Sequence, residues 1–331
     1  SDTATISAVG ANAFIIWQGF TTDEAADALE LDEYATCVLT NSTTVTVTRT
    51  TSTTGTGVFN CVVIDPTASL VSGVQAGTIS IVAAGSGTAT ITSVDTTLSA
   101  VFFLGANTTG TAFAGSIPNL TLTNATTVTA ALGSSGTATV SFVVVTFAAA
   151  AIQSIQQFSV TSTASSVTDT ATISSVTPGN CMIAYGSVKN AVVAAPATFY
   201  WFTVTDVTMT RNSANVASRT SKGAVIEFKS GVLTSMQRGS IVLSSAASNT
   251  ATITSVNTTN SFCNFLGLKT AAAASAPDTI YHKISLTNAT TITATRQTAG
   301  STASSVGYEV VEFSVPVVGS NYYQHLVSQG M

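Results

Sequence analysis

The sequence predicts an all-β chain of tandem antiparallel β-sandwich units, Ig-like or jelly-roll-like, made from four copies of one repeat. Three observations predict it. Runs such as residues 43–49 (TTVTVTR) alternate polar and apolar with period two, the mark of a strand with one buried face. Thr and Val, whose β-branched side chains suit a pleated surface, are among the commonest residues. The tetrapeptide TATI recurs at residues 3–6, 88–91, 170–173 and 250–253, a step of roughly 80 residues. No long amphipathic helical pattern competes; the best short helix candidate spans residues 22–31.

Each TATI is followed by Ser and then by a Val: Val9, Val94, Val176 and Val256. Next comes an aromatic or apolar strand that ends in Gly, at residues 14–19 (FIIWQG), 101–105 (VFFLG), 182–186 (MIAYG) and 263–267 (CNFLG). A variable loop leads to a Thr-rich segment at residues 39–49, 122–130, 204–211 and 286–296, which opens with LTNSTT or LTNATT in units one, two and four. A Val-rich strand closes each unit at residues 61–64, 143–147, 225–228 and 310–313. The segments between units also repeat: residues 72–79 (SGVQAGTI), 154–159 (SIQQFS) and 235–241 (SMQRGSI) each carry Ser, a Gln and an extended apolar stretch. These are predicted to be strands of the fold and not tethers. The short GSG at residues 85–87 is expected to turn. Strands of this length with Gly, Ser and Asn turns pack as a two-layer sandwich or small barrel. The expected division is units at 1–65, 66–147, 148–229 and 230–314 with a tail at 315–331, as four beads and not one large barrel.

Unit one lacks the linker strand, because the sequence opens at Ser1 just before TATI. An unpaired sheet edge is a template for another strand. Residues before Ser1, the C-terminal tail of the same chain, or a strand donated by another subunit could fill it.

Charged residues make up 8% of the chain, against an ordinary share of about 25%. A surface of hydroxyls and amides, or one buried against partners, fits a durable assembly better than a free enzyme. Residues 1–188 carry a net charge of −9 and residues 189–331 a net charge of +4. Six acids cluster in one loop of unit one: Asp23, Glu24, Asp27, Glu30, Asp32 and Glu33. The loop reads as a solvated surface, as a site for a hard cation, or as a docking element for the basic half of another copy. Its spacing departs from the calcium-loop pattern. The tail offers Tyr322, Tyr323 and Gln324 as further assembly residues. A net +4 is not a nucleic-acid footprint. The longest apolar stretch, residues 143–152, is too short for a membrane span.

Chemistry-bearing residues are few. Cys37, Cys61, Cys181 and Cys263 are widely spaced, so buried free thiols are expected; Cys37 and Cys61 share unit one and could pair. His282 and His325 are the only histidines, and His282 is read as a surface or structural residue at a strand edge. Glu309 and Glu312 are three apart, on opposite faces of a strand, and Glu227 matches Glu312 in the repeat, so none reads as a catalytic pair. Trp17 and Tyr200–Trp201 are candidate sugar platforms, but their strand setting favours core packing. Asn41, Asn107, Asn124, Asn257 and Asn288 begin N-x-[ST] triplets that a Thr-rich chain produces by chance. The expectation is a protein without catalytic residues, metal or cofactor.

The string SxQxG-I, TATITSV, FLG, LTNATTxTAxR and VVEF, best seen at residues 235–256, 265–267, 286–296 and 310–313, resembles a repeat of structural proteins from tailed bacteriophages and prophages. Unit four matches most closely and unit two well; unit three lacks LTNATT, and unit one places Asp65 against Phe313 of unit four. The resemblance implies a virion structural role in a tail appendage, fibre or capsid decoration. The partners to expect are further copies of the chain and other virion or surface proteins, with a cell-surface glycan as a further candidate. The alternatives are an extracellular filament or sheath subunit that polymerises by strand exchange, and a carbohydrate-binding adhesin.

Overall fold

The computed structural model describes residues 1–23, 34–49, 56–108, 117–162, 166–190, 199–210, 218–270, 277–300, 303–315 and 324–328. Unit one holds β1 (Asp2–Thr5), β2 (Phe14–Thr22), β3 (Thr36–Asn41), β4 (Thr44–Thr48) and β5 (Gly57–Ile64). Unit two has four longer elements: β6 (Val71–Thr90), β7 (Ser99–Thr108), β8 (Asn119–Asn124) and β9 (Thr127–Phe147). Unit three runs through β10 (Ile152–Ser162), β11 (Thr168–Thr172), β12 (Cys181–Asn190), β13 (Phe199–Phe202), β14 (Asp206–Thr210) and β15 (Arg219–Phe228). Unit four follows with β16 (Leu233–Leu243), β17 (Ser248–Thr252), β18 (Ser261–Thr270), β19 (Lys283–Asn288), β20 (Thr291–Thr295) and β21 (Ser304–Phe313). Last comes β22 (Gln324–Ser328), and one short helix, α1 (Pro277–Ile280), precedes β19. The all-β prediction holds. Only residues 22–23 of the helix candidate at 22–31 are described.

The linker segments are strands. Each repeat has six strand positions, here lettered A to F in chain order from the linker strand. Position F pairs with both A and C in one sheet, and E pairs with both B and D in the other. Unit two shows how the sheets relate: β6 supplies A and B without a break, β9 supplies E and F, and they pair from Val71↔Phe147 to Thr90↔Thr127. The GSG expected to turn lies inside β6, where the register shifts between Ile81 and Ser86 and Ala83 takes φ 50°. A bulge there bends the ribbon while the ladder continues beyond it.

The repeated letters are the fastenings of this ribbon. In TATIxxV, the Ile and Val N–H groups donate to the carbonyls of the D–E turn, as in Ile253 to Thr290 (2.9 Å) and Val256 to Ala289 (2.9 Å). The turn is set by LTNxT: Asn41, Asn124 and Asn288 each accept the N–H two residues on at 2.9 Å. Asn favours such turns because its side chain mimics a backbone carbonyl. Unit three uses Thr203 instead, which accepts from Thr205 N–H at 3.4 Å. The linker Gln clamps the residue after TATI on both backbone groups: Gln75 on Thr92 (3.0 and 2.7 Å), Gln156 on Ser174 (3.1 and 2.6 Å) and Gln237 on Thr254 (2.9 and 2.7 Å). A carboxylate at the end of F binds the N–H after the Val: Asp65 to Gly10 (3.0 Å), Glu227 to Thr177 (2.8 Å) and Glu312 to Asn257 (2.8 Å). Asp65 therefore matches Glu312 and not Phe313, and the acidic residue is a structural clasp. Each such bond is worth about 1 kcal/mol net.

The copies do not lie in a row. Position D of each unit runs beside position C of the next, β3 by β7, β8 by β12 and β13 by β18, and then β19 returns to β2. The four units thus close into a ring. The C strands meet in the middle, each beside the next, and carry Trp17, Phe103, Tyr185 and Phe265 at one equivalent position. Edge-to-face contacts join Trp17 to Phe103 (6.1 Å), Phe103 to Tyr185 (6.2 Å) and Tyr185 to Phe265 (5.7 Å). Such geometry adds about 0.5–1.5 kcal/mol per pair to the burial of the rings. A second set, Phe147–Phe228 (5.7 Å) and Phe228–Phe313 (5.4 Å), joins the ends of the F strands of units two to four. Trp17 is thus a buried core residue, as its strand setting predicted.

At each C strand a bulge falls two residues beyond that aromatic position. Gly19, Gly105 and Gly267 take φ of 90°, 94° and 90° there, and in unit three the matching residue is Ser187 (φ 72°), not Gly186. The bulge keeps its place in unit three, and Gly186, which the sequence aligns with the other glycines, stands one residue before it. At Gly105 an added Cβ would lie 2.1 Å from the Ala35 carbonyl of unit one, and at Gly19 it would lie 2.2 Å from the His282 carbonyl of unit four. Backbone is hard to move, and the φ is unfavourable for other residues. Gly105→Ala is expected to cost about 2–4 kcal/mol, and Gly85→Ala, with nothing within 4 Å, to fall within about 0.5 kcal/mol of wild type in denaturant unfolding.

Candidate assembly site at the closing strand

In units two, three and four, position A covers the outer edge of F, as β6 on β9, β10 on β15 and β16 on β21. Unit one is served differently. The edge of β5 is taken by β22, through Gln324↔Asn60, Leu326↔Phe59, Val327↔Val58 and Ser328↔Gly57. Its register is that of a linker strand. Phe59 matches Val140 and Val306, which pair with Ile79 and Ile241, so Leu326 stands where those buried isoleucines stand. Of the three fillers considered for this edge, the tail of the same chain is the one in place. The last described strand, β22, completes unit one, and the ring closes on itself.

The seam between units four and one holds this closure. Lys283 pairs with Gly19 across it. Gln18 Nε2 donates to the Cys263 carbonyl (2.8 Å), and Asn60 Nδ2 donates to the Ile284 carbonyl (3.1 Å). An aromatic cluster fills the rest: Phe20 stacks on Tyr281 (4.6 Å) and on Phe59 (5.4 Å), with Tyr34 edge-on (4.7 Å). His282, expected at a strand edge as a surface or structural residue, is buried in this seam and lies 2.9 Å from Ser304 Oγ through Nε2. Its correction is physical: β19 packs on β2, so the residue just before β19 has no route to water. Burial, with the Arg296 charge behind it, pushes the imidazole down to about 3. Arg296 is itself buried and donates to the carbonyls of Ala246 (3.0 Å), Thr279 (2.8 Å) and Gly300 (2.8 Å).

The residues singled out for assembly divide as follows. Gln324 opens β22 and is paired with Asn60. Asp23 is exposed, and its carboxylate accepts Thr56 N–H at 2.6 Å across the mouth of the acidic loop. Glu24, Asp27, Glu30, Asp32, Glu33, Tyr322 and Tyr323 lie outside the described residues. Gln18, Asn60 and the Phe20–Tyr281 stack were not anticipated; nothing in their local pattern separates a seam residue from an ordinary strand residue. Glu309, set aside as half of a carboxylate pair, is fully buried between units three and four. It accepts Arg238 Nε (2.8 Å), Ile183 N–H (3.0 Å) and Asn264 Nδ2 (3.1 Å).

No family model and no curated protein matches the chain. Two solved structures align over most of its length. One comes from work on the triple jelly roll fold and turret assembly in an archaeal virus, at 8% identity over 91% of each chain with a TM-score of 0.19. The other is from Sulfolobus Turreted Icosahedral Virus, at 9% identity over 95% of this chain and 100% of that one with a TM-score of 0.20. Superpositions this loose carry no argument about function. Among the described residues no helix is long and apolar enough to cross a membrane.

Two outcomes follow from the closure. Removing residues 316–331 deletes β22 and bares the edge of β5. At about 1 kcal/mol per ladder bond, the loss is expected to be roughly 2–4 kcal/mol, with concentration-dependent oligomers in light scattering. The second concerns acid. In the unfolded chain an imidazole titrates near 6.5, and in the fold His282 is lowered to about 3. Between those values the unfolded chain binds a proton that the fold refuses. Its contribution is therefore complete above about pH 6.5 and falls as pH drops, by about 2 kcal/mol at pH 5. Unfolding free energies measured from pH 7 to 5 should show this slope in wild type and lose it in His282→Gln.

Proposed function

We propose that this chain is a non-enzymatic structural protein of a virion, a tail appendage, fibre or capsid decoration of a tailed phage, acting as a closed ring of four β-sandwich units. The observation that carries the reading is the closure itself. The last described strand completes unit one, so the edge that would otherwise polymerise is paired. Radial repetition with protected edges gives a stiff body. A surface poor in charge suits permanent contact with neighbours more than free diffusion. The likeness of the repeat to tailed-phage and prophage structural proteins points the same way. On this reading the partners are further copies of the chain and other virion proteins, and the place of action is the virion.

One feature favours a second reading, an extracellular filament or sheath subunit joined by strand exchange. Among the described residues the closing strand has five, where β10 and β16 have eleven. A short strand is the easiest to trade with a neighbour. The adhesin reading loses one support, because Trp17 is buried at the ring centre and cannot stack on a sugar.

Immunogold electron microscopy of native material separates these readings. Label on tailed particles is the expected result. Label on cell-attached fibres, with particles absent, would overturn the virion assignment in favour of strand exchange.

A further inference from the structure

Unit one carries two cysteines where units two and four carry larger side chains. Cys37 lies on β3 and Cys61 on β5, in opposite sheets of the same sandwich. Both are buried, and their Sγ atoms stand 2.8 Å apart. A disulfide bond is about 2.05 Å long, so small side-chain movements would join them. The register locates the matching positions elsewhere. Cys61 pairs with Trp17 as Phe142 pairs with Phe103 and Tyr308 with Phe265, and Cys37 stands four residues before the turn Asn, as Leu120 and Ile284 do. Cross-sheet packing in units two and four thus uses a large residue from each sheet, and unit one alone has thiols facing each other. The remaining cysteines have partners of another kind. Cys181 Sγ donates to the Thr177 carbonyl (3.1 Å), and Cys263 Sγ accepts Gln18 Nε2 (3.0 Å).

We infer that Cys37 and Cys61 form a redox staple, which joins the two sheets of unit one by a disulfide when the chain folds in an oxidising compartment. The place is apt. Unit one is the copy whose A position comes from the far end of the chain, and Cys61 adjoins Asn60, the partner of Gln324 in the closing strand. A bond from β3 to β5 would hold the sandwich together while β22 docks. It would also close a loop of the unfolded chain and so reduce the entropy that folding must overcome.

The chemistry balances as thiol–disulfide exchange. One Cys thiolate attacks a donor disulfide and releases the donor's first thiolate, giving a mixed disulfide. The second Cys thiolate then attacks the sulfur of the first and releases the donor's second thiolate. Two protein thiols lose two hydrogens and two electrons, and the donor disulfide becomes two thiols. In the folded chain the hydrogen shared with Cys61, together with burial, holds the Cys37 thiol well above the usual range. The exchange therefore belongs to folding, while the thiols still reach solvent, and the product is afterwards shielded.

The test uses the full chain exported to the bacterial periplasm, where folding and oxidation coincide. The purified protein is denatured in iodoacetamide without reductant and mapped by mass spectrometry. The expected result is alkylation of Cys181 and Cys263 alone, with a linked peptide pair containing Cys37 and Cys61. A melting temperature roughly 5 °C above that of an aliquot unfolded and refolded in dithiothreitol is expected, a difference that Cys37→Ser with Cys61→Ser abolishes. Alkylation of all four cysteines in folded, soluble protein, or a link from Cys37 or Cys61 to Cys181 or Cys263, would overturn the inference. So would a Cys37–Cys61 link with an unchanged melting temperature.

Discussion

A carbonyl of one unit lies against the bulge of the next: Ala35 over Gly105, and His282 over Gly19. This contact sets the spacing between neighbours. It admits no side chain, so the C strand comes as close to the preceding D strand as backbone allows, and single ladder pairs form there, Thr36↔Gly105 and Lys283↔Gly19. Once C lies against D, the aromatic residue two positions earlier reaches its equivalents on the adjoining C strands. Strand bulge, seam and aromatic centre are thus one arrangement at the seams of units one with two and four with one; in unit three Ser187 takes the bulge position in place of glycine. The arrangement also closes. Each unit offers one D and accepts at one C, and the fourth D is used by the first C, which leaves none over.

The division of labour between unit and seam explains the pattern of the repeat. The strings that recur, TATIxxV, LTNxT, the linker Gln and the carboxylate after the Val-rich strand, all fasten a unit to itself. They bind backbone groups within about 80 residues along the chain, so TATIxxV recurs in all four copies and each of the others in three. Seam residues bind a different neighbour in each copy and have diverged. Units three and four meet through buried Glu309 and Arg238, units four and one through stacked Phe20 and Tyr281, and units two and three through Lys222 Nζ donating to Thr121 Oγ1 (2.8 Å) and Asn119 Nδ2 donating to the Thr220 carbonyl (3.0 Å).

That division also decides what could be read from the sequence. The strands, their alternation and the extended state of the linkers were legible, because period-two patterning and recurrence are local. That the strand beside β5 has no counterpart among the linkers was legible too, since three linker segments stand between four TATI motifs. Which strand would stand there was not, because the five residues of β22 share none of the Ser and Gln spacing of the linkers. His282 was read as a surface or structural residue, and the structure gives it the structural place; its burial was not legible for a related reason. A His beside a polar Thr-rich strand looks exposed, and only the return of β19 to β2 covers it. Gly186 misled by being a glycine: the strained position belongs to Ser187, and Gly186 stands one residue before it.

Identical seams would have been hazardous for a chain of near-identical units. If every C strand suited every D strand equally, the units could pair out of order, or with those of another copy, and still bury their aromatic centre. The buried Glu309 argues against that outcome in this molecule. Its charge is costly to desolvate, and it is satisfied only where Arg238 of its own unit and the Ile183 N–H of unit three converge. In unit two the residue matching Glu309 is Val143, with Val144 and Val145 beyond it, so no carboxylate stands there to receive a neighbour. Glu309 keeps Arg238 of its own unit, and its other oxygen takes a backbone N–H from the neighbouring C strand, so this seam carries a polar requirement that the seam of unit two lacks. The polar groups that differ between copies make each seam chemically distinct, while the shared apolar strands supply the common attraction.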